Sequence, residues 1–253
     1  MPELLKTKLK KQVLTIGSWI TLGHTSIAEI MAKGGFDWLT VDMEHSVITL
    51  SEAQKLVQVI ELAGIPPLVR VGENDTCLIK RVMDAGAHGI IVPMVNTKEE
   101  AIKAVDAVKY PPAGKRGVGL ARAQGYGLEF EKYKKRINNE SMVVVQIESI
   151  EAIDNLKEIL EVEGVDASII GPYDLSASLG HPGELERKEV RDAVKRYMEV
   201  CRKTGKCAGY HVVPVDVGKV RHKIKEGFRF LAFSLDTLFL GERIKRELKE
   251  IKR

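Results

Sequence analysis

The sequence predicts a single (β/α)8 barrel, that is, a one-domain TIM barrel of the α/β class. Three observations carry this reading. Eight short β-rich runs alternate with longer helical stretches. Several of the runs, such as MVVVQI and ASIIG, are continuously apolar, as strands buried on both faces of a parallel sheet must be. The length, 253 residues with no linker, repeat or low-complexity tract, suits one barrel. Strands that alternate with helices make βαβ units, and eight such units close a barrel more readily than they extend an open sheet.

The expected strands, in order, are Thr15–Ile20, Trp38–Val41, Leu68–Val71, Gly89–Val92, Val143–Ile147, Ser168–Ile170, Cys207–Tyr210 and Phe230–Ala232. Between them, helical periodicity predicts helices at Thr25–Lys33, Leu50–Ala63, Cys77–Asp84, Thr97–Val108, Ile150–Glu158, Glu186–Lys203 and Val215–Lys225. Two segments break the rhythm. Residues 110–136 carry two prolines and five glycines, which predicts a long loop, and loops of that length in a compact domain tend to be functional. LGHPGELE, residues 179–186, is the other. The last segment, 238–253, spaces Leu238, Leu240, Ile244, Leu248 and Ile251 along one helical face opposite Lys and Glu. That stripe covers its own barrel or packs on a neighbouring subunit.

Composition narrows the function classes. Hydrophobic residues make up 44% and charged residues 29%, enough for a large core under a solvated surface. The formal charge of +4 is spread along the chain, so no nucleic-acid partner is expected. Cys77, Cys201 and Cys207 form no CxxC pair and no even-numbered framework, which points to a reducing, cytoplasmic compartment. The opening MPELLKTKLKKQ has no apolar signal-type core, and no apolar run is long enough to span a membrane. GKRGVG lacks the spacing of a phosphate-binding loop. Ser149 and Ser176 lack a nucleophile-elbow context. No expected strand ends in a lysine, since Lys206 precedes the seventh, which argues against Schiff-base chemistry.

In such a barrel, chemistry sits at the C-terminal strand ends. There the sequence reads VDMEHS, VRVGEND, QIES and GPYDLS, so Asp42, Glu44, His45, Arg70, Gln146, Glu148 and Asp174 should converge on one mouth. Glu148 and Asp174 are two carboxylates from neighbouring strand ends. That is the donor set of an oxygen-preferring Mg²⁺, Mn²⁺ or Co²⁺ whose other positions are filled by water and substrate. Taken singly, either acid also suits a helix N-terminus. Arg70 can bind an anionic substrate through two parallel hydrogen bonds, or bridge to Glu44 or Glu148. His45, three residues beyond Asp42, is a candidate base if a carboxylate orients its ring, and otherwise a structural histidine. His24, His88, His181, His211 and His222 read as structural or solvent-exposed.

WLTVDMEHS, PPLVRV, YPPAGKRGVG, VQIES and GPYDLSASLG together resemble the HpcH/HpaI aldolase family, in the family's order, from about Gly17 to the last strand. The resemblance implies a metal-dependent class II aldolase. Such an enzyme cleaves a 4-hydroxy-2-oxo acid, for example a 2-dehydro-3-deoxy sugar acid, reversibly to pyruvate and an aldehyde. It further implies that Glu148 and Asp174 hold the divalent cation and that Arg70 contacts the pyruvate portion. His45 is then the base with Asp42 as its partner. Gln146 and the backbone around Gly171, Pro172 and Tyr173 line the substrate's carboxylate pocket. Asp84 corresponds to an acid that reaches a neighbouring subunit's site in a homo-oligomer, commonly a hexamer built as a trimer of dimers. Tyr173 departs from the pattern, because relatives often carry a small residue there, so substrate size is open. The alternatives are a CoA-thioester lyase of the citryl- or malyl-CoA type, which shares the metal–enolate chemistry, and a non-catalytic binding protein on the same barrel.

Overall fold

Alternation along the strands builds the barrel. The computed structural model describes residues 3–252; Met1 and Pro2 of the opening segment and Arg253 of the expected terminal helix lie outside the described residues. Eight parallel strands close in chain order: β1 Thr15–Ile20, β2 Trp38–Asp42, β3 Pro67–Arg70, β4 Gly89–Val92, β5 Met142–Ile147, β6 Ala167–Ile170, β7 Cys207–Val212 and β8 Phe230–Leu235. The helices are α1 Leu5–Lys10, α2 Thr25–Ala32, α3 Leu50–Leu62, α4 Thr76–Asp84, α5 Lys98–Val108 and α6 Phe130–Glu140. They continue with α7 Ile150–Asp154, α8 Leu156–Leu160, α9 Pro172–Ser178, α10 Lys188–Thr204, α11 Val217–Glu226 and α12 Asp236–Ile251. All eight expected strands are present, most within a residue or two of their expected ends.

Residues two apart on a strand face the same side, and the two sides have different neighbours. Outward residues such as Val41, Val69, Ile90, Val92, Val145 and Ile147 join the helices in the main core. Inward residues Trp38, Leu68, Ile91, Met142, Val144, Ala167, Cys207 and Phe230 fill the barrel interior. Trp38 lies across this interior, stacked on Phe230 with ring centroids 4.3 Å apart. Gly17 leaves it room, since a Cβ there would stand 2.0 Å from the indole. Below them α1 closes the floor: Leu5 and Leu9, one helical turn apart, pack into the same interior cluster. Truncating a buried Trp such as Trp38 costs about 3–5 kcal/mol, so the floor is a packed core and not a channel.

β8 breaks the alternation. Its pairing with β1 shifts register between Gly17 and Trp19, and Ser234 adopts a left-handed φ of 54°. The extra residue lets Ala232 and Leu235 both join the interior cluster.

Several elements differ from expectation, among them α1 and α9, which no expected helix covered. The segment 110–136 is not all loop, because α6 starts at Phe130 and buries Tyr133 and Ile137, four residues apart. A short 3-10 stretch, Arg122–Gly127, precedes it. The helix expected over Ile150–Glu158 is two, separated at Asn155, whose side chain donates to the Asn96 carbonyl at 2.9 Å. β7 runs two residues past Tyr210, which brings His211 into the strand. The terminal helix is anchored at its start. The Asp236 carboxylate accepts from the backbone N–H groups of Thr21 and Leu22, each at 2.9 Å, and from the Thr21 hydroxyl at 2.7 Å. Beyond that anchor, Leu240, Ile244, Leu248 and Ile251 are exposed. No helix among the described residues is long and apolar enough to cross a membrane.

Candidate active site at the barrel mouth

The C-terminal strand ends surround a cavity of about 240 Å³. Asp42, Arg70, Gln146, Glu148, Gly171, Pro172, Tyr173, Asp174 and His45 all line it. Asp42 and Arg70 are register partners on β2 and β3. Arg70 donates from Nε to Asp42 Oδ1 at 2.9 Å and from Nη2 to Oδ2 at 2.6 Å, a bidentate pair. Burial alone would raise the Asp42 carboxyl pKa. The Arg70 hydrogen bonds and charge, with the N–H groups of His45 and Glu44, more than offset this and hold it below its usual range. The other face of Arg70 lies 4.3 Å from the Trp19 ring centroid, and its Nη1 stands 3.2 Å from Glu44 Oε2. The guanidinium is thus fixed on three sides.

Glu148 follows β5. Its carboxylate accepts from Gln146 Nε2 and, at 3.0 Å, from the Met94 N–H. Met94 has a left-handed φ of 52° after β4. Gly171 lies against it, and a Cβ there would come within 2.8 Å of Oε1. Glu148 is 3% exposed, and burial pushes its carboxyl up to about 7, with the charges of Glu44 and Asp174 adding to the rise. Among the described residues no Lys or Arg pairs with Glu148 or Asp174. A buried carboxylate beside further acids and without a basic counter-charge fits a divalent cation. Among the described residues no three His, Cys, Asp or Glu side chains are grouped to hold a metal by themselves. Two protein carboxylates completed by water and substrate oxygens remain the donor set that fits.

A family model described as HpcH/HpaI aldolase/citrate lyase matches residues 15–241. The chain belongs to that family. The 2-keto-3-deoxy-L-rhamnonate aldolase of Escherichia coli (strain K12) is 38% identical over 249 residues, which cover 98% of this chain and 92% of that protein. The crystal structure of an HpcH/HpaI aldolase/citrate lyase family protein from Burkholderia cenocepacia J2315 superposes with a TM-score of 0.94 at 32% identity, over 98% of this chain and 99% of the other. An HpcH/HpaI aldolase from Desulfitobacterium hafniense DCB-2 gives a TM-score of 0.90 at 31% identity, over 100% and 98% of the two chains. This HpcH/HpaI family member is therefore a carbon–carbon lyase.

Against that family frame, the expected partnership of Asp42 with the His45 ring is corrected. Both Asp42 oxygens are taken by Arg70, and the carboxylate also receives the backbone N–H of His45 at 3.2 Å. The His45 ring instead stands 3.7 Å from Glu44 Oε2, and its side chain is 66% exposed. A residue three positions past an aspartate that turns back on its own loop presents its amide first. Asp84 does not line this chain's own mouth. It ends α4 and accepts from buried Arg116 Nη2 at 2.5 Å and from Gln124 Nε2 at 3.2 Å. Asp84 therefore pins the 110–128 segment to the outside of the barrel. Tyr173 is exposed at the cavity lip, and its backbone carbonyl accepts from the Ser176 hydroxyl at 2.6 Å.

Sequence reasoning missed three contributors to the HpcH/HpaI mouth: Trp19 under Arg70, the Met94 N–H on Glu148, and His211. Trp19 could have been found, because it is the inward residue two beyond Gly17 on β1. His211 would have followed from carrying the inward series Cys207, Gly209 one step further. Nothing in the sequence marks the Met94 amide.

Proposed function

We propose that the protein is a metal-dependent class II aldolase. It cleaves a 4-hydroxy-2-oxo acid, a 2-dehydro-3-deoxy sugar acid or a related compound, reversibly, to pyruvate and an aldehyde. The observation that carries this is the buried, counter-charge-free carboxylate of Glu148, which lines one small cavity with Asp174 and the fixed guanidinium of Arg70. The first pair suits a Mg²⁺, Mn²⁺ or Co²⁺ ion and the guanidinium suits the substrate's anion. The rhamnonate aldolase relative supports a sugar-acid substrate.

Glu148 and Asp174 would hold the cation, which when bound supplies Lewis-acid stabilisation of charge developing on the 2-oxo acid. Arg70, held flat by Asp42 and backed by Trp19, neutralises and orients the anion without reorganising during the reaction. Gln146 keeps one Nε2–H on Glu148, and its Oε1 is buried without a protein partner, which suits an acceptor for a substrate or water donor. Gly171, Pro172 and Tyr173 bring backbone to the same rim. His45 takes the proton of the C4 hydroxyl as the C3–C4 bond breaks, and Glu44 beside it favours the imidazolium that forms.

The exposed stripe of α12 supports assembly. Leu240 is 55% and Ile244 50% exposed, which suits a helix that packs on a neighbouring copy. We place the enzyme as a homo-oligomer, a hexamer of the trimer-of-dimers type, in which Asp84 stands near a neighbour's mouth. Three free cysteines suit a reducing cytoplasm.

The test is pyruvate release from 2-keto-3-deoxy-L-rhamnonate and other 4-hydroxy-2-oxo acids, followed with lactate dehydrogenase after EDTA treatment and readdition of Mn²⁺, Co²⁺ or Mg²⁺. Metal-restored release supports the reading. Absence of release from every such acid contradicts it.

A further inference from the structure

His211 is the third inward residue of β7, after Cys207 and Gly209, and its ring lines the mouth cavity together with Trp19, Val213 and Leu235. The ring centroid lies 5.4 Å from that of Trp19, whose other neighbour is Arg70. His211 is therefore one side chain removed from the group that takes the substrate's anion. It also lines the groove between α10 and α11, which shares Pro172, Tyr173 and Val213 with the cavity. The cavity and the groove are therefore adjacent, with His211 on both.

The hydrogen bonding of the ring fixes its tautomer. Nε2 stands 3.1 Å from the carbonyl oxygen of Ser234, and a carbonyl only accepts, so Nε2 carries the proton. The same carbonyl takes the Ser18 hydroxyl at 3.2 Å. Ser234 is the left-handed residue of the β8 bulge, a conformation that costs on the order of 1 kcal/mol outside glycine. The bulge thus holds the carbonyl that orients His211. Burial, with the positive charge of Arg70 adding to it, pushes the imidazole down to about 4, so the ring is neutral at physiological pH. Nδ1 is then a lone-pair acceptor. No group among the described residues donates to it.

We infer that His211 Nδ1 accepts a hydrogen bond from a hydroxyl on the aldehyde-derived part of the substrate, so that the site selects hydroxylated aldehydes over apolar ones of equal size. The inference rests on the aldolase reading above. Neither pyruvate nor an aldehyde oxygen can donate to Nδ1, whereas the sugar-derived chain beyond C4 carries hydroxyls. Of the rest of this wall, Val213 and Leu235 are apolar, and Trp19 offers only its indole N–H, a donor, so His211 Nδ1 is the acceptor among these four side chains. An acceptor left unpaired there by an apolar aldehyde weakens that complex. Leaving one buried polar group unpaired lowers kcat/KM for the apolar aldehyde by roughly five- to a hundredfold.

The test compares kcat/KM for pyruvate addition to lactaldehyde and to its isostere 2-methylpropanal, and to 3-hydroxypropanal and butanal. Wild type should favour the hydroxylated member of at least one pair. His211→Leu and His211→Met should lose that preference by about tenfold or more. His211→Asn, whose Oδ1 stands where Nδ1 stands, should retain most of it. Exchange of pyruvate methyl protons in D₂O should be equal in all four proteins. If wild type exchanges normally while His211→Leu or His211→Met keeps the ratio, the inference is overturned and the aldolase reading stands. Loss of exchange in every variant overturns it too, because the ring would then merely support the site. Wild type that neither exchanges nor adds any aldehyde overturns the aldolase reading and the inference with it.

Discussion

Asp42 and Arg70 face each other across the β2–β3 register and share two hydrogen bonds, at 2.9 and 2.6 Å, deep in the barrel mouth. The pair turns a flexible arginine into a fixed plane. Its Nη1 is paired with Glu44 and its face rests on Trp19. An aldolase gains from such a group only if the guanidinium is already in place when the anion arrives.

Arg70→Lys is therefore not conservative. Lysine has no second parallel N–H for Asp42 and no flat face for Trp19. The variant should remain folded by circular dichroism and lose about tenfold or more in kcat/KM, mostly through a higher KM for pyruvate in the addition direction. An unchanged KM would assign Arg70 to a structural salt bridge alone.

His45→Ala should lower retro-aldol cleavage by roughly 10²–10⁴-fold, the range of a positioned base. Pyruvate methyl exchange in D₂O should fall far less, because it does not require removal of the C4 hydroxyl proton. Near wild-type cleavage by this variant would make His45 a surface histidine, in keeping with its exposed ring.

How far the sequence reached is clearest at these residues. Asp42, Arg70 and Glu148 were legible because each ends or directly follows an apolar run, and Asp174, in the first turn of α9, because GPYDLS follows the sixth run. In this fold the segments just past the strand ends surround the mouth. The Asp42–His45 pairing was not. Chain spacing gives no rule for which carboxylate oxygen a neighbouring arginine on another strand will occupy. Likewise α6 was hidden by the glycines and prolines ahead of it, although Tyr133 and Ile137 carry the helical spacing. α1 was hidden because two leucines in a lysine-rich run look like surface until the barrel floor is known to need a plug.

Stability should report the neutral state of His211. An unperturbed imidazole titrates near 6.5, whereas burial sets His211 at about 4 in the fold. Between those values the unfolded chain binds more protons than the folded one. The contribution of the buried neutral ring is therefore complete above pH 6.5 and is lost as pH falls towards 4, by an amount on the order of 3 kcal/mol. His211→Met lacks this titration. Its melting temperature relative to wild type should rise steadily from pH 7 to pH 4.5, and parallel curves would show that the fold does not shift the titration of His211.

Assembly should depend on α12. Ile244→Glu combined with Leu248→Glu places charge in the exposed apolar stripe, and light scattering should then give smaller particles than wild type. Activity should fall with size if Asp84 serves a neighbour's mouth. A fully active wild-type monomer would refute both the assembly and that role.

The central claim is that Glu148 and Asp174 hold a divalent cation that stabilises the enolate of a pyruvate-type acid. The most direct measurement is the rate at which pyruvate methyl protons exchange in D₂O, followed by NMR on EDTA-stripped protein before and after Mg²⁺ or Co²⁺ is added. The account expects negligible exchange without metal, recovery on addition in wild type, and no recovery in Glu148→Gln or Asp174→Asn at unchanged fold. Full exchange in excess EDTA, or borohydride trapping of pyruvate on a lysine, would contradict it.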